Sequence, residues 1–273
     1  MKRFYVIPPI KHMDLANYSE CDAVYCLAHL CLKEANPEGY EEYKRFFIDA
    51  KKKGMHVILD NSAAEEALVT EMVLFDLTVE LDPSEVIAPD VLFNENETRL
   101  RTTGFIELLK DQNIVTNIFG VPQGNNPESY LKSYIQMLES DDIEVIGLSK
   151  LSVPKSFREI TGTESVSVNR RYLIRLLNEL NLLRKPIHCL GMRNHNEYEA
   201  YQNIPMIRST DSCWTCLAAM KRIQFTPDSF DDYVCNTPHD YFFKEMTLDE
   251  QSLAKRNIDA MIRVIGATNK KPE

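Results

Sequence analysis

Eight short runs rich in apolar and β-branched residues recur along the chain, and they constrain its fold more than any other feature. Most of them are near-continuously apolar rather than alternating, which is typical of strands buried on both faces. The runs are RFYVIPP (3–9), DAVYCLA (22–28), MHVILD (55–60), SEVIAPD (84–90), IVTNIFG (114–120), IEVIGLS (143–149), KPIHCLG (185–191) and IPMIRST (204–210). Parallel strands with both faces covered are therefore predicted.

Segments with helical character separate most of these runs. GYEEYKRFFIDAKKKG (39–54) ends in lysines and a glycine, which favour a helix C-terminus. NPESYLKSYIQMLES (126–140) begins with a capping Asn and a Pro, and NRRYLIRLLNELNLL (169–183) is amphipathic. Eight strands alternating with helices predict an α/β fold, a (β/α)8 TIM-like barrel. Because the connection at 10–21 is short and not clearly helical, closure is inferred, and a doubly wound open sheet is the alternative.

Composition sets the broad class of the protein. The chain has 273 residues, of which 44% are hydrophobic and 26% charged, and these values fit one large globular domain over 1–273 with a helical extension at about 240–266 and a loose tail. No apolar run approaches the roughly 20 residues that span a bilayer. The start, MKRFYVIPPIKHMD, lacks the apolar core of a signal peptide, which predicts a cytoplasmic protein. The net charge of −10 excludes a general polyanion binder and leaves only a locally basic face for nucleic acid.

Polar residues and glycines follow six of the predicted strands, at the end where barrels of this type build their active sites. They occupy positions 60–64, 89–90, 120–124, 147–150, 190–193 and 209–212. Each taken alone has a structural explanation, because Asp60, Asn61 and Asp211 suit helix caps and glycines suit turns. Their joint occurrence favours one mouth at which carboxylates, an amide and cations converge. Two carboxylates across a pocket suit substitution at an acetal-type carbon, with one attacking and the other moving a proton.

The order of these segments resembles that of a known enzyme superfamily. The matching pieces are LDNSAAE (59–65), APD (88–90), GVPQG (120–124), IGLSK (146–150), CLGMRNHNEYEA (189–200) and RSTDS (208–212). They are similar to the motifs of the tRNA-guanine transglycosylase superfamily, whose members exchange a guanine base for a 7-deazaguanine.

The resemblance implies a role for each matched position. It implies that Asp211 is the nucleophile and Asp60 the general acid/base, while Asp90 and Gln123 read the base and Gly147 offers its backbone to it. The remaining base-binding positions that it implies are Gly124, Leu190, Gly191 and Met192. Glycines beside the uncharged Gln123 are expected to let a flat ring come close to the chain.

The polymer substrate is inferred from departures from the tRNA enzymes. The usual Ser-Gly-Gly stretch after the first aspartate reads Asn-Ser-Ala-Ala here, and a closely spaced Cys-x-Cys-x₂-Cys zinc run is not found. Short, zinc-lacking relatives include proteins of phages and genomic islands that place 7-deazaguanines in DNA. The resemblance therefore implies that the polymer is DNA and that the incoming base is a 7-deazaguanine such as the nitrile-bearing preQ0. The alternative substrate is tRNA. A partner protein that opens the duplex is also possible.

Cofactors and rim contacts complete the expectations. Neither a metal nor a redox cofactor is expected, and the seven cysteines are predicted to be reduced thiols. The alternative is a zinc site at Cys213, Cys216, Cys235 and His239, with spacing C-x₂-C-x₁₈-C-x₃-H. Four cations are predicted to lie near the rim and hold phosphates, namely Lys150, Lys155, Arg193 and Arg208. A non-catalytic barrel that binds nucleic acid as a partner subunit is the alternative from another class, and His188 is predicted to be a core residue.

Overall fold

The computed structural model describes residues 2–18, 23–65, 69–192, 197–226, 237–238 and 240–266. Eight strands and eight α-helices lie in these ranges. The strands are β1 (Arg3–Val6), β2 (Ala23–Leu27), β3 (His56–Asp60), β4 (Glu85–Ile87), β5 (Asn117–Gly120), β6 (Ile143–Leu148), β7 (Ile187–Cys189) and β8 (Ile207–Ser212). The helices are α1 (Tyr40–Lys52), α2 (Glu71–Leu81), α3 (Glu95–Asp111), α4 (Pro127–Glu139), α5 (Ser152–Thr161), α6 (Val166–Glu179), α7 (Trp214–Met220) and α8 (Leu248–Ile265).

The eight strands form one parallel sheet that curls into a nearly closed barrel flanked by helices. The hydrogen-bonded order is β1-β8-β7-β6-β5-β4-β3-β2, so paired strands are neighbours in sequence except for β1 and β8, which pair in parallel. The ring is completed by β1 and β2, which are in contact, with the Tyr5 and Tyr25 rings 6.0 Å apart. A doubly wound sheet would reverse its strand order at a switch point. The eight predicted strands and their barrel arrangement are therefore confirmed over the open sheet.

Local signals explain where the connecting segments begin and turn. The first connection is a 3-10 segment at Ile10–Asn17 rather than an α-helix, as its sequence indicates. Helix α4 begins at Pro127, and the side chain of Asn126 accepts a hydrogen bond from the backbone of Ser129 at 2.9 Å. This capping bond satisfies a backbone N–H of the first helical turn that has no partner within the helix.

The predicted helical extension contains α8, which packs against α7 and β1 on the outside of the barrel. Asn257 of α8 is fully buried, and its side-chain amide donates to the carbonyls of Thr215 and Ile223 at 3.2 and 3.1 Å. The same side chain accepts the backbone N–H of Phe225 at 2.9 Å. The helix thus packs over α7 and the first strand, β1, while the predicted loose tail at 267–273 lies outside the described residues.

Candidate active site

A pocket opens at the carboxyl ends of the strands, which we call the mouth of the barrel. The space between its lining residues measures about 880 Å³ when the solvent at its open side is counted. Eight of the residues singled out from the sequence line it: Asp60, Asp90, Gln123, Lys150, Leu190, Gly191, Met192 and Asp211. The tertiary structure therefore brings together residues from the ends of six strands, β3 to β8, although Asp60 and Asp211 are far apart in the chain.

Asp211 lies inside β8, one residue before its end, rather than in the loop that follows the strand. Its side chain is almost buried, and its Oδ1 lies 2.9 Å from His188 Nε2 and accepts the backbone N–H of Gly191 at 2.9 Å. Its other oxygen, Oδ2, accepts no hydrogen bond from the residues that the structure describes. Oδ1 is thus held by two contacts, while Oδ2 can interact with a ligand.

Asp60 is the last residue of β3 and carries a perturbed acidity. Burial raises the pKa of its carboxyl from 3.8 to about 6, and the nearby charge of Asp211 acts in the same direction. Hydrogen bonds from the Tyr25 hydroxyl and the backbone N–H of Ser62, together with the charge of Lys150, oppose this rise. A carboxyl with a pKa near 6 can both give and take a proton near neutral pH.

Asp90 follows β4 and belongs to a network of amides. Asn61 donates to its Oδ1 at 2.6 Å, and Gln123 Nε2 donates to its Oδ2. Burial raises the pKa of Asp90 to about 7, with the charge of Asp60 adding to the effect and the hydrogen bonds from Asn61 and Gln123 opposing it. The two groups that donate to Asp90, the side-chain amides of Asn61 and Gln123, are neutral. The carboxyl of Asp90 can therefore also accept hydrogen bonds from a ligand.

Gln123 is completely buried, and the network already uses both ends of its amide. Its Oε1 accepts the backbone N–H of Phe93 at 3.0 Å while its Nε2 donates to Asp90. Phe93 has a left-handed backbone, with φ of 65°, which is an unusual conformation for a bulky residue. The amide therefore positions Asp90 and the strained turn at Phe93, and it reaches a ligand only through its remaining N–H and lone pair.

The glycines of the site serve packing more than ligand approach. A Cβ on Gly124 would lie 2.5 Å from the backbone nitrogen of Tyr130, so a glycine is required for the loop to contact α4. A Cβ on Gly147 would lie 2.6 Å from the Phe119 ring, which places this residue against the barrel interior rather than on the pocket wall. Packing against α4 is thus sufficient to require a glycine at 124, and the expectation that Gly124 admits a flat ring stays a prediction. Gly191 differs, since its φ of 63° is left-handed and the stem of Lys150 packs on it.

The four cations predicted for the rim separate into different places. Lys150 lines the pocket, and Lys155 on α5 lies with its Nζ 6.0 Å from the centre of the Phe93 ring. Arg193 lies outside the described residues. Arg208 is at the second position of β8, at the opposite end of the barrel, where it binds Glu85 through both carboxylate oxygens. The prediction that Arg208 lies at the rim is therefore wrong, because its side chain is engaged at the amino-terminal end.

The cysteine positions do not form a metal centre within the described ranges. Cys216 is buried, and Cys213 Sγ lies 3.3 Å from the Thr237 hydroxyl. Cys235 and His239, the other members of the alternative zinc set, lie outside the described residues. Among residues that are described, no three His, Cys, Asp or Glu side chains gather as metal ligands would.

No described helix combines the length and apolar character needed to cross a bilayer.

Two site residues have no distinct signal in the sequence. His188, predicted to be a core residue, is indeed fully buried in β7, yet it lies within hydrogen-bonding distance of the carboxylate of Asp211. Tyr25 of β2 lies inside a run that reads only as apolar, yet its hydroxyl donates to Asp60. A polar or phenolic group within a buried strand was the only available indication of either role.

No protein-family model matches the chain, and a search of curated proteins found no match. A carboxylate with one fixed and one free oxygen faces the same pocket as a carboxyl whose pKa is near 6. Two carboxyl groups of this kind in one pocket have the chemistry needed for a nucleophile and a proton donor.

Proposed function

We propose that this protein is a base-exchange transglycosylase that replaces guanine in DNA with a 7-deazaguanine such as preQ0. The observation that carries the proposal is the pairing of Asp211 and Asp60 in one pocket, the first held by two contacts on a single oxygen and the second with a raised pKa. A third carboxyl, Asp90, lies between two amides in the same pocket and suits recognition of a polar heteroaromatic edge. The motif order that resembles the tRNA-guanine transglycosylases adds the identity of the base.

In the first step, Asp211 attacks C1′ of a guanosine that has been turned out of the stack, at a cost of a few kcal/mol. A bond forms between a carboxylate oxygen and C1′ as the bond from C1′ to the base nitrogen breaks. The departing base takes the electron pair, and Asp60 gives a proton to it. The incoming 7-deazaguanine then loses a proton to Asp60 and displaces Asp211 from C1′. Two displacements at one carbon retain its configuration.

DNA is proposed as the polymer because of the similarity to the short DNA-modifying members, and tRNA is the second candidate. The mouth carries Lys150 in the pocket and Lys155 beside it, so a phosphate backbone has cations to approach despite the net negative charge of the chain. Binding carried by these contacts should weaken as salt is added, in proportion to the phosphates neutralised.

The test incubates the purified protein with radiolabelled guanine or preQ0 and either single- or double-stranded DNA or bulk tRNA. We expect label to enter DNA, and a denaturation-resistant adduct between protein and DNA to form when the base is withheld. Both should vanish in Asp211→Ala, whereas the surface variant Asp111→Asn should behave as wild type. Label entering tRNA but never DNA would overturn the choice of polymer, and normal turnover in Asp211→Ala would overturn the nucleophile.

Base recognition is tested separately. Asp90→Ala and Gln123→Ala should each weaken binding of guanine and the deazaguanine by about 1–3 kcal/mol, since each removes a buried hydrogen-bonding group or the residue that positions it. Isothermal titration with the free base measures this loss without requiring a polymer. Unchanged affinity in both variants would remove these residues from the base site.

A further inference from the structure

His188 is a buried, chemically capable side chain that the proposed reaction does not use. It is fully shielded from solvent and stands behind the pocket wall, between Asp211 and Ser209 of the neighbouring strand β8. Its Nε2 lies 2.9 Å from Asp211 Oδ1, and its Nδ1 lies 2.8 Å from the Ser209 hydroxyl oxygen. Both ring nitrogens therefore have a partner, and the two partners are of different kinds.

The partners determine which nitrogen carries the proton. An ionised carboxylate only accepts hydrogen bonds, so the contact with Asp211 requires a proton on Nε2. The hydroxyl of Ser209 can donate, which lets it satisfy an unprotonated Nδ1. Burial also lowers the pKa of His188, although the carboxylate of Asp211 opposes this effect, so the neutral ring with Nε2–H is consistent with both contacts.

Aromatic neighbours hold the imidazole in its plane. The Tyr25 ring stacks on it at 5.9 Å and 16°, the Tyr5 ring lies 5.8 Å away, and the Phe119 ring meets it at an angle of 71° and a distance of 5.3 Å. Tyr25 also donates its hydroxyl to Asp60. The stacked pair of Tyr25 and His188 therefore connects Asp60, which Tyr25 contacts, with Asp211, which His188 contacts.

The two contacts to Asp211 fall on the same oxygen. Gly191 N–H donates to Oδ1 at 2.9 Å from the pocket side, and His188 Nε2 lies 2.9 Å from Oδ1 on the other side. Two donors on Oδ1 fix the rotation of the carboxylate and hold charge on that oxygen. The second oxygen, Oδ2, is then the one presented to the pocket.

We propose that His188 is a positioning residue, a neutral imidazole protonated at Nε2 that, together with the Gly191 amide, holds Asp211 Oδ1 so that Oδ2 is the attacking oxygen. This inference rests on the proposed function, in which Asp211 forms the bond to C1′. His188 touches neither sugar nor base, and it acts only through the orientation of Asp211.

Two variants at one position separate the donor from the bulk of the ring. His188→Leu removes the donor, whereas His188→Gln keeps an N–H near the place of Nε2. We expect the leucine variant to lower kcat for base exchange about 100-fold, the scale expected when a reacting group is misplaced by about 1 Å, with KM for the free base within about threefold of wild type. Glutamine should recover at least about tenfold of the lost kcat. His12→Gln, in the first connection and away from the pocket, is the matched control and should leave kcat unchanged.

Equal kcat in the leucine and glutamine variants, or a loss confined to KM, would overturn the positioning role. Near-ultraviolet circular dichroism and thermal unfolding check that each variant is folded. If the leucine variant fails to fold, Ser209→Ala takes its place. That variant keeps the ring and removes the partner of Nδ1, and we expect a loss in kcat of about threefold to tenfold with an unchanged KM. An unchanged kcat in Ser209→Ala would then overturn the proposal.

Nitrogen-15 NMR of the histidine rings tests the inference independently of activity. The His188 resonances, assigned by their loss in His188→Gln, should show a neutral ring with its proton on Nε2, and Ser209→Ala should alter the Nδ1 resonance. A proton found on Nδ1 alone, or on both nitrogens at neutral pH, would overturn the inference. Should wild type exchange no base in any polymer, the proposed function fails, and this spectrum alone then decides the state of His188.

Discussion

The two ends of the barrel treat buried carboxyl groups in opposite ways. At the amino-terminal end, Glu85 is bound by Arg208 through both oxygens and also contacts His56 at 3.1 Å. Although burial would raise it, these partners lower the pKa of Glu85 to about 2. At the mouth, burial raises the pKa of Asp60 to about 6 and that of Asp90 to about 7, because their hydrogen-bond partners are neutral.

The hydrogen-bonding and ionic partners of a buried carboxyl, rather than its burial alone, therefore determine its protonation state near neutral pH. A carboxylate paired with a guanidinium is kept ionised and contributes to structure. A carboxyl held by amides and hydroxyls keeps its proton closer to neutral pH and remains available for proton transfer or ligand recognition. This contrast supports the proposal of a functional site at the mouth.

The largest effect is expected at the amino-terminal end. Arg208→Met leaves the carboxylate of Glu85 buried without its guanidinium, which should lower the free energy of unfolding by about 4 kcal/mol at neutral pH. Urea denaturation measures the loss. The double variant Arg208→Met/Glu85→Leu should recover most of it, because no uncompensated charge remains. If the single variant costs less than about 1 kcal/mol, the ion pair does not hold this end.

The next effect concerns stability against pH at the mouth. Because the pKa of Asp90 is about 7 in the folded protein and 3.8 as its ordinary value, its contribution to stability is fully present below about pH 4. It is lost as the pH rises through about 7, since the unfolded chain releases a proton that the folded protein retains. Glu85 has the opposite sign, and its contribution is lost as the pH falls from 4.5 toward about 2.

Replacing Asp90 should therefore flatten one limb of the stability curve. Between about pH 4 and pH 8, the free energy of unfolding of wild type should fall by on the order of 3 kcal/mol through Asp90, and Asp90→Asn should lose this slope. Urea denaturation at several pH values gives the slope of the free energy of unfolding against pH. A change in stability that is the same at every pH does not affect this slope. The exposed Asp111→Asn is the control, and a slope equal to wild type in Asp90→Asn would show that this carboxyl does not titrate with folding.

A smaller effect is expected in the rate of base exchange against pH. In the proposed reaction Asp60 is protonated when the guanine departs, so kcat/KM should fall about tenfold per pH unit above about pH 6. Tyr25→Phe removes a hydroxyl that donates to Asp60 and lowers its pKa, so the limb should move to higher pH. A limb that stays in place, or moves to lower pH, would contradict the role given to Tyr25.

The smallest effect concerns backbone strain, which is also found at the mouth. Ser62 has a φ of 60°, a left-handed conformation that glycine adopts without cost, and its hydroxyl contacts both the backbone and Nδ1 of His29. In Ser62→Gly the relief of strain and the lost hydrogen bonds oppose each other, so stability should change by less than about 1 kcal/mol. Ser62→Val should cost about 2 kcal/mol because a β-branched residue resists this φ. Thermal unfolding of the pair decides whether the conformation or the hydroxyl matters more.

The strands and the position of the mouth could be read from the sequence. Strands inside a barrel are buried on both faces, so an apolar run such as 143–149 marks β6 closely without knowledge of its neighbours. Because all parallel strands end at the same edge, the polar residues that close successive runs must meet there. Asp60, Asp90 and Asp211 were placed at the pocket in this way. The strand bounds were predicted less closely: β4 and β7 are shorter than their apolar runs, and β8 continues through Ser212.

The partners of these residues were decided by the tertiary structure alone. Arg208 pairs with Glu85, which is 123 positions away in the sequence. The side-chain amide of Gln123 hydrogen-bonds to Asp90 and to the backbone of Phe93, and the carboxylate of Asp211 contacts His188. Each pairing depends on the register between strands and on the conformation of the loops that follow them, which arise only when the sheet closes. Local patterns report whether a side chain is buried and which way its strand runs. They do not report which atom lies 3 Å away, and that atom distinguishes Glu85, paired with a guanidinium, from Asp90 at the mouth, held by two amides.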